Sequence, residues 1–318
     1  MSDPAAGTAN PQATAHRLAL AGHYAIAMAM DAAHTYFMTA VGGGGRSTEV
    51  IHTDATAPKA WETFRLIGQA GDSHFAIQTL NGHFLTAVDG GGRTSGAITT
   101  VATEVQAWEL FSFRPVSGAG ASPHFAIQTP KGTFVTALGH GGLNSGETLH
   151  TDATAAKDWE MFDFLKIGDP GTNATYRFDG LPTPGVAGGF LGVTDGGRHA
   201  ERSSLTPKLG PEYTMGITLI RQADGTYALK TASGYYITAN AGGLVGAGYR
   251  TDTPQVNNWE KFTLVADEGD ATTRIKTYSG TYLSIVPGHP PDPPLIIDNV
   301  ADLARATRWR LWVMAFYA

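Results

Sequence analysis

The chain has 318 residues, of which 42% are hydrophobic and 16% charged, with 40 glycines and a formal net charge of −6. It contains no run of Lys and Arg of the kind that gives nucleic-acid affinity, so no nucleic-acid partner is expected. The absence of cysteine excludes disulfides, a thiol nucleophile and cysteine-ligated zinc. This composition favours many short strands joined by glycine turns.

Residues 1–17 are rich in Pro, Ala, Thr and Asn and are predicted to form a flexible tail. The N-terminus lacks the basic and apolar regions of a signal peptide, which favours a cytoplasmic location but leaves it open. Because no apolar run approaches about 18 residues, no membrane partner is expected.

Three sequence features then recur in a fixed order, which defines six copies of one repeat. The first feature is a short alternating strand, as in HFAIQT at residues 74–79 and 124–129. The second begins with an aromatic residue, at spacings of 46 to 56 residues: Phe37, Phe84, Phe134, Phe190, Tyr236 and Tyr282. The third is a W-E-x-F segment that begins at Trp61, Trp108, Trp159, Trp259 and, in drifted form, Trp309.

Copy two predicts four short strands in each repeat. An alternating strand over 75–79 is followed by the hairpin signal Asn81-Gly82 and a return strand over 84–87. A glycine loop up to Gly92, whose positions need positive φ, leads to a third strand near 97–101 and a fourth around 108–113. Phe84 and Leu85 are expected in the core. Trp61, Trp108 and Trp159 are also expected to be largely buried.

Six four-stranded repeats fit either a six-bladed propeller or two tandem β-trefoils. The first three copies match one another far better than they match the last three, and a linker-like stretch at 168–173 separates the two sets. The sequence therefore predicts an all-β protein with a first trefoil at residues 18–168 and a second, more divergent trefoil at 169–318. Copy four is the most divergent, since it lacks the W-E-x-F segment.

The repeat resembles that of the fascin-like β-trefoil family. The matching segments are G-x-[FY]-[LV]-[ST]-A followed by W-E-x-F, as in residues 82–87 with 108–111 and residues 132–137 with 159–162. The resemblance covers about residues 20–315 and implies a trefoil fold. It also implies either actin binding or carbohydrate binding, which members of the family show. No actin-contact residue can be transferred, because the chain has no matching motif.

Polar residues recur on the predicted third strand, where packing does not require them. They form the pairs His52 and Asp54 in copy one, His150 and Asp152 in copy three, and Arg250 and Asp252 in copy five. Copy two has Thr99 and Val101 instead. Each Asp could cap a local turn, or each pair could hydrogen-bond the hydroxyls of a sugar, with Arg46 and the glycine loop close by. The loss of the pair from copy two favours the second interpretation.

Two further acidic patterns are candidates for a catalytic or a metal-binding site. The repeated glutamates Glu62, Glu109, Glu160 and Glu260 are expected to be exposed or to make cross-strand hydrogen bonds, because a catalytic pair would not recur by symmetry. Asp298 and Asp302 would share one face if the segment were helical and could then hold a metal ion, although no second acidic cluster supports this.

These observations favour a non-enzymatic, monomeric protein that binds carbohydrate and needs no cofactor. A fascin-type scaffold that binds another protein, such as actin, is the first alternative. An enzyme or cyclase with a pocket in or between the trefoils is the second, and would require titratable groups that converge in one deep, asymmetric cavity.

Overall fold

The computed structural model describes residues 22–28, 35–68, 74–116, 123–198, 200, 205–207, 213–267, 269–286 and 295–315. The predicted tail, residues 1–17, lies outside these ranges. The described chain consists of β-strands and short 3-10 helices, with no α-helix in any of those ranges. No helix in them is long and apolar enough to cross a membrane.

Copies one to three each form four strands at the predicted places. In copy one these are β1 (Gly22–Met28), β2 (Phe37–Ala40), β3 (Ile51–Ala55) and β4 (Thr63–Gly68). In copy two they are β5 (Phe75–Gln78), β6 (Phe84–Ala87), β7 (Ile98–Ala102) and β8 (Leu110–Val116). In copy three they are β9 (His124–Gln128), β10 (Phe134–Ala137), β11 (Leu149–Ala153) and β12 (Phe162–Ile167).

The first and fourth strands of each copy close a six-stranded antiparallel barrel. Strand β1 pairs with β4 and β12, β5 pairs with β4 and β8, and β9 pairs with β8 and β12. The second and third strands pair as the hairpins β2–β3, β6–β7 and β10–β11. A closed barrel with one hairpin per copy is a β-trefoil, and the continuous ring of pairing excludes a propeller, whose blades are separate sheets.

The remaining copies provide the strands of a second barrel. Copy four has β13 (Ala174–Gly180), β14 (Gly189–Phe190), β15 (Gly192–Thr194), β16 (Leu205–Thr206), β17 (Tyr213–Thr214) and β18 (Ile217–Arg221). Copy five has β19 (Tyr227–Lys230), β20 (Tyr236–Ala239), β21 (Tyr249–Thr253) and β22 (Lys261–Asp267). Copy six has β23 (Thr272–Lys276), β24 (Tyr282–Val286), β25 (Leu295–Val300) and β26 (Trp309–Val313).

The second ring closes through β13, β18, β19, β22, β23 and β26, so the fold consists of two tandem trefoils. Copy four departs from the pattern because β15, β16 and β17 form a separate three-stranded sheet. Copy six also departs from it: Trp309 and Trp312 both lie within β26 and are both buried. The boundary at residue 168 and the independent folding of each half stay predictions.

The prediction that Phe84 and Leu85 lie in the core is confirmed, although the equivalent aromatic residues Phe134, Phe190, Tyr236 and Tyr282 are only partly buried. Phe84 and Leu85 are buried, and so is the Phe of every W-E-x-F segment: Phe64, Phe111, Phe162 and Phe262. In the first barrel Phe113 stacks on Phe75, with ring centroids 5.2 Å apart, and also contacts Phe164 from copy three. The barrel interior is therefore packed jointly by residues from different copies.

The glycine loops hold neighbouring copies together. Gly91 has a φ of +111°, and a Cβ at this position would lie 2.4 Å from Thr129 Oγ1 in copy three. The next residue, Gly92, donates its N–H to the carbonyl of Thr151 at 2.8 Å. A residue with a side chain at position 91 would meet both backbone strain and a steric clash, which explains the glycine.

The two barrels meet through an apolar contact between their last strands. Leu165 of β12 pairs with Trp312 of β26, and the Trp312 ring stacks on Phe37 at a centroid distance of 6.4 Å. Ala25 and Ala27 complete this small cluster. On its other side the Trp312 ring lies 5.7 Å from the Arg177 guanidinium, which pairs with Asp179.

Candidate functional site

A buried carboxylate fixes the turn that precedes the fourth strand in copies one, two, three and five. In copy two Glu109 Oε1 accepts a hydrogen bond from the Thr86 hydroxyl at 2.7 Å, and Oε2 accepts from the Gln106 N–H at 2.9 Å. The equivalent Thr-to-Glu bonds measure 2.6 to 2.7 Å: Thr39 to Glu62, Thr136 to Glu160 and Thr238 to Glu260. The expected cross-strand hydrogen bonding is confirmed. The alternative prediction, that these glutamates are exposed, is wrong, since all four are buried.

The tryptophan of the same segment lies on the surface, contrary to the prediction that it is buried. Its exposed fraction is 49% for Trp61, 46% for Trp108, 45% for Trp159 and 44% for Trp259. Each ring belongs to a 3-10 turn and not to the fourth strand; in copy two the turn is Ala107–Glu109. The chain enters the barrel only after the Glu, so the Phe three residues after the Trp faces the core and the Trp faces outwards.

The third strand presents two different faces. The central threonine of each, Thr53, Thr100, Thr151 or Thr251, is fully buried and bonds through its backbone to the glycine loop of another copy. The residues on either side of that threonine point to the opposite face because side chains alternate along a strand. His52 and Asp54 therefore share one face of β3, and the same holds for the pairs in β11 and β21.

Strand pairing places these polar residues beside the tryptophan turn. His52, His150 and Arg250 lie directly opposite Thr39, Thr136 and Thr238, and these are the threonines that hydrogen-bond the buried glutamates. Opposite residues in an antiparallel pair have their side chains on the same face. The polar pair, the threonine and the turn that carries the tryptophan thus line one side of each repeat.

In copy two this arrangement encloses a surface cleft of about 680 Å³. It runs between β7 and the tryptophan turn, and Thr99, Val101, Gln106 and Trp108 contribute to its walls. We call this feature of copy two the repeat cleft, and use the same name for the corresponding surface between the third strand and the tryptophan turn in copies one, three and five. The strand positions held by Thr99 and Val101 in copy two carry a basic or imidazole side chain and a carboxylate in copies one, three and five.

The polar pairs leave hydrogen-bonding capacity unused. His150 Nδ1 lies 3.9 Å from Asp152 Oδ1, and Arg250 Nε lies 3.5 Å from Asp252 Oδ1, distances beyond a strong hydrogen bond. In copy one, His52 Nε2 is shielded from solvent and has no partner among the described residues. Arg250 Nε and Asp252 Oδ1 are also shielded from solvent and make no hydrogen bond, although they form an ion pair with each other. A ligand that supplies donors and acceptors would provide the hydrogen bonds that these polar atoms lack.

The contacts of the three aspartates bear on the capping interpretation. Across the described residues, Asp54, Asp152 and Asp252 accept no backbone N–H hydrogen bond, whereas Asp302, Asp169 and Asp224 each accept one. A local cap requires such a bond. These contacts favour the ligand-binding interpretation of the pairs, which stays a prediction.

Arg46 is expected beside the polar pairs of copies one and three, but the structure places it against copy two. Its backbone exchanges hydrogen bonds with Thr100 in copy two, while its Nε donates to the Thr48 carbonyl at 3.2 Å. The loop that lies against Thr53, between His52 and Asp54, comes from copy three through Gly142 and Leu143. The sequence could not show this, because each hairpin packs against the loop of another copy.

The helical arrangement expected for Asp298 and Asp302 is wrong. Asp298 lies in β25, opposite Ser284, because this segment pairs with β24 as a strand. Asp302 caps the short 3-10 helix Leu303–Arg305 and accepts a hydrogen bond from the Ala304 N–H at 2.9 Å. No group of three or more His, Asp or Glu side chains suited to a metal ion occurs within the described part of the chain.

Comparison with known proteins adds similarities of fold only. No protein-family model and no curated protein matches the chain, so the fascin-like resemblance rests on the repeat motif. Solved structures similar to it include a mosquitocidal holotoxin, with 11% identity and a TM-score of 0.39 over 92% of this chain and 34% of that chain. This chain therefore spans about a third of the holotoxin.

Two other similar structures are single trefoils. The designed threefold-symmetric protein ThreeFoil has 8% identity and a TM-score of 0.37 over 46% of this chain and 99% of that chain. The BEL β-trefoil has 14% identity and a TM-score of 0.35 over 45% of this chain and 90% of that chain. TM-scores this low support no conclusion by themselves, so the fold assignment rests on the two closed rings of strands.

Proposed function

We propose that the protein binds carbohydrate, without catalysis, through the repeat clefts of copies one, three and five. The main support is the combination, on one face of each of these copies, of a half-exposed tryptophan with a carboxylate that caps no backbone group. A sugar ring has an apolar face of C–H groups, which an indole can cover, and hydroxyls along its edge, which a carboxylate can accept.

The shape of the cleft favours a small ligand over a protein partner. A concave site with an apolar wall and a few polar groups is typical of small-molecule recognition. A protein partner would instead need a broad patch of about 800 Å² on each side. The fascin-type alternative makes its own prediction, which is sedimentation of the chain with filamentous actin.

The experiment begins with an immobilised glycan array and continues by calorimetry with the glycan that binds best. In the Asp54→Ala, Asp152→Ala double variant, copies one and three each lose a charged acceptor. A lost hydrogen bond to a ligand hydroxyl costs about 1–3 kcal/mol, so affinity at each altered site should fall at least about tenfold. The stoichiometry should fall from three sites to one.

Copy two provides the matched control. The Thr99→Ala, Val101→Ala variant changes the same strand positions in a cleft that lacks the polar pair, and it should leave both affinity and stoichiometry unchanged. If the aspartates are structural caps, the double variant melts at a lower temperature but binds the glycan as tightly as the original chain. That result would contradict the proposal.

A gain of binding can be tested in the same cleft. The Thr99→His, Val101→Asp variant copies the residues of copies one and three into a cleft that already has Trp108 and Glu109 in place. Val101 is exposed, so this change should cost little stability. We expect one additional glycan site per chain, and unchanged stoichiometry would count against the assigned polar contacts.

A further inference from the structure

The junction of the two barrels contains a cavity that is unrelated to the repeat clefts. Its volume is about 260 Å³, and its lining includes Lys166 from β12, Asp169 from the connecting segment and Tyr227 from β19. Leu264, Trp309 and Leu311 of the second barrel supply apolar wall. Because a cavity of roughly 150 Å³ accepts benzene, this one has room for a substituted aromatic ring.

Lys166 is unusual for a lysine in a cavity wall. It is only 5% exposed and is the one buried lysine within the described ranges. Its ammonium group makes no ion pair with any described carboxylate; Nζ lies 3.5 Å from the His23 carbonyl and 4.5 Å from the centre of the Tyr24 ring. Since a buried charge without a close counter-ion is costly, this position increases the fraction of Lys166 that is a neutral amine near neutral pH.

The pKa values of Lys166 and its neighbour His23 agree with this burial. Burial lowers the pKa of Lys166 to about 8, against a smaller opposing effect of the Asp169 charge. Burial, the Lys166 charge and the Arg65 charge lower the pKa of His23. The titratable and charged groups that interact with Lys166 are His23, Tyr24 and Asp169. Next to these groups, Tyr176 hydrogen-bonds Tyr24, and Arg221 and Tyr227 line the same cavity beside Asp169.

Asp169 is held as a carboxylate beside this amine. Burial alone would raise its pKa, but hydrogen bonds from Tyr227 and the Gly171 N–H, with the charges of Arg221 and Lys166, lower it overall. Arg221 Nη1 lies 2.9 Å from Asp169 Oδ2, and the Tyr227 hydroxyl donates to Oδ1. A neutral amine, a nearby fixed carboxylate and an apolar wall are what stabilise an imine and the positive charge it acquires on protonation.

We propose that this cavity binds a small aldehyde with a flat apolar body, and that Lys166 joins it as a reversible imine. The nitrogen lone pair of the neutral amine adds to the carbonyl carbon, and the carbonyl π electrons move to the oxygen. A proton passes from nitrogen to that oxygen to give a carbinolamine. A proton from solvent then adds to the carbinolamine hydroxyl, the C–O bond breaks as C=N forms, and one water molecule leaves. The protonated imine that remains is stabilised by the negative charge of Asp169.

The test uses benzaldehyde as the probe on the full chain. Sodium cyanoborohydride reduces any imine to a stable secondary amine, and peptide mapping by mass spectrometry identifies the modified lysine. At pH 7 an amine with a pKa near 8 has roughly 200-fold more free base than an ordinary lysine. Because a less basic amine is also a weaker nucleophile, Lys166 should be modified about tenfold faster than exposed lysines. Its modification should saturate with benzaldehyde concentration.

The comparison with exposed lysines decides the outcome. Lys157 lies on the surface of copy three, and Lys157→Arg should leave the fast modification unchanged, whereas Lys166→Arg should abolish it. The unaltered chain is informative even if the Lys166 variant fails to fold. Modification that follows surface exposure and spares Lys166, or that rises linearly with benzaldehyde at every site, would overturn the proposal.

Discussion

The W-E-x-F segment contains two aromatic residues that the structure places in opposite environments, which makes a sharp test of the fold. In copy two Phe111 is fully buried between the strands of the first barrel, whereas Trp108 keeps 46% of its surface in water. Phe111→Ala leaves a cavity in the core and should lower the free energy of unfolding by about 3–5 kcal/mol.

The expected cost of Trp108→Ala is smaller, although the side chain is larger. A fully buried indole contributes about 250 Å² at about 25 cal/mol per Å², so half burial gives at most about 3 kcal/mol. The compactness of the unfolded chain and the lack of an enclosed cavity at the surface reduce this to about 1–2 kcal/mol. The two variants should therefore differ by about 1–4 kcal/mol, with Phe111→Ala the more destabilised.

Urea denaturation followed by far-ultraviolet circular dichroism measures both costs, since tryptophan fluorescence is itself altered in one variant. The first-barrel transition should shift to markedly lower urea for Phe111→Ala and only slightly for Trp108→Ala. Equal shifts, or a larger shift for Trp108→Ala, would show that the indole belongs to the core. The repeat cleft would then lose its aromatic wall.

Three further predictions follow from buried polar groups and from the ring of strands. Glu160→Gln should cost about 2–3 kcal/mol in urea denaturation, because Glu160 accepts two hydrogen bonds in a buried site, while Asp158→Asn on the same turn should change stability by less than about 0.5 kcal/mol. Lys166 binds a proton less readily in the folded chain, with a pKa of about 8 against 10.5, so the unfolded chain holds more protons above pH 8 and stability should rise with pH. The rise should be about 1.5 kcal/mol between pH 8 and 9.5 and should vanish in Lys166→Met; a flat profile in the unaltered chain contradicts it. A fragment of residues 18–168 should fold alone with an all-β circular dichroism spectrum, because its described strands pair only with strands of the same half except at the contact between Leu165 and Trp312; an unfolded fragment would show that this contact is essential.

The repeats predicted the strands well because each copy carries local signals in the same order. The alternating strand, the Asn-Gly turn and the glycine loop depend on neighbouring residues, and the structure has β5, β6 and β7 within one residue of the predicted places. The tryptophan prediction failed because hydrophobicity alone cannot tell on which side of a turn a side chain lies. Trp108 lies in the 3-10 turn before β8 and points outwards, whereas Phe111 lies within β8 and points into the core.

Contacts between copies were beyond the reach of the sequence pattern. Strand β12 reads FDFLKI, in which Leu165 shares one face with Asp163, while Lys166 shares the core face with Phe162 and Phe164. Alternation predicts exposure for Leu165. The strand also contacts β26 of the second barrel, which covers its outer side, so Leu165 is buried. Only the packing of the two barrels shows this.

Repetition within one chain separates what the fold requires from what a ligand would require. Copies one, two and three share the buried Phe, the Thr-to-Glu bond and the loop contact of the central threonine, and each of these makes the same contact in every copy. The fold closes equally well around Val101 in copy two and Asp152 in copy three, so packing does not demand a carboxylate there. A glycan that occupied copy two as strongly as copy three would mean that the tryptophan turn alone recognises it. Selective occupancy would assign recognition to the positions at which these copies differ, which are the polar pair and the turn residues Glu104, Gln106 and Ala107 of copy two, replaced by Ala155, Lys157 and Asp158 in copy three.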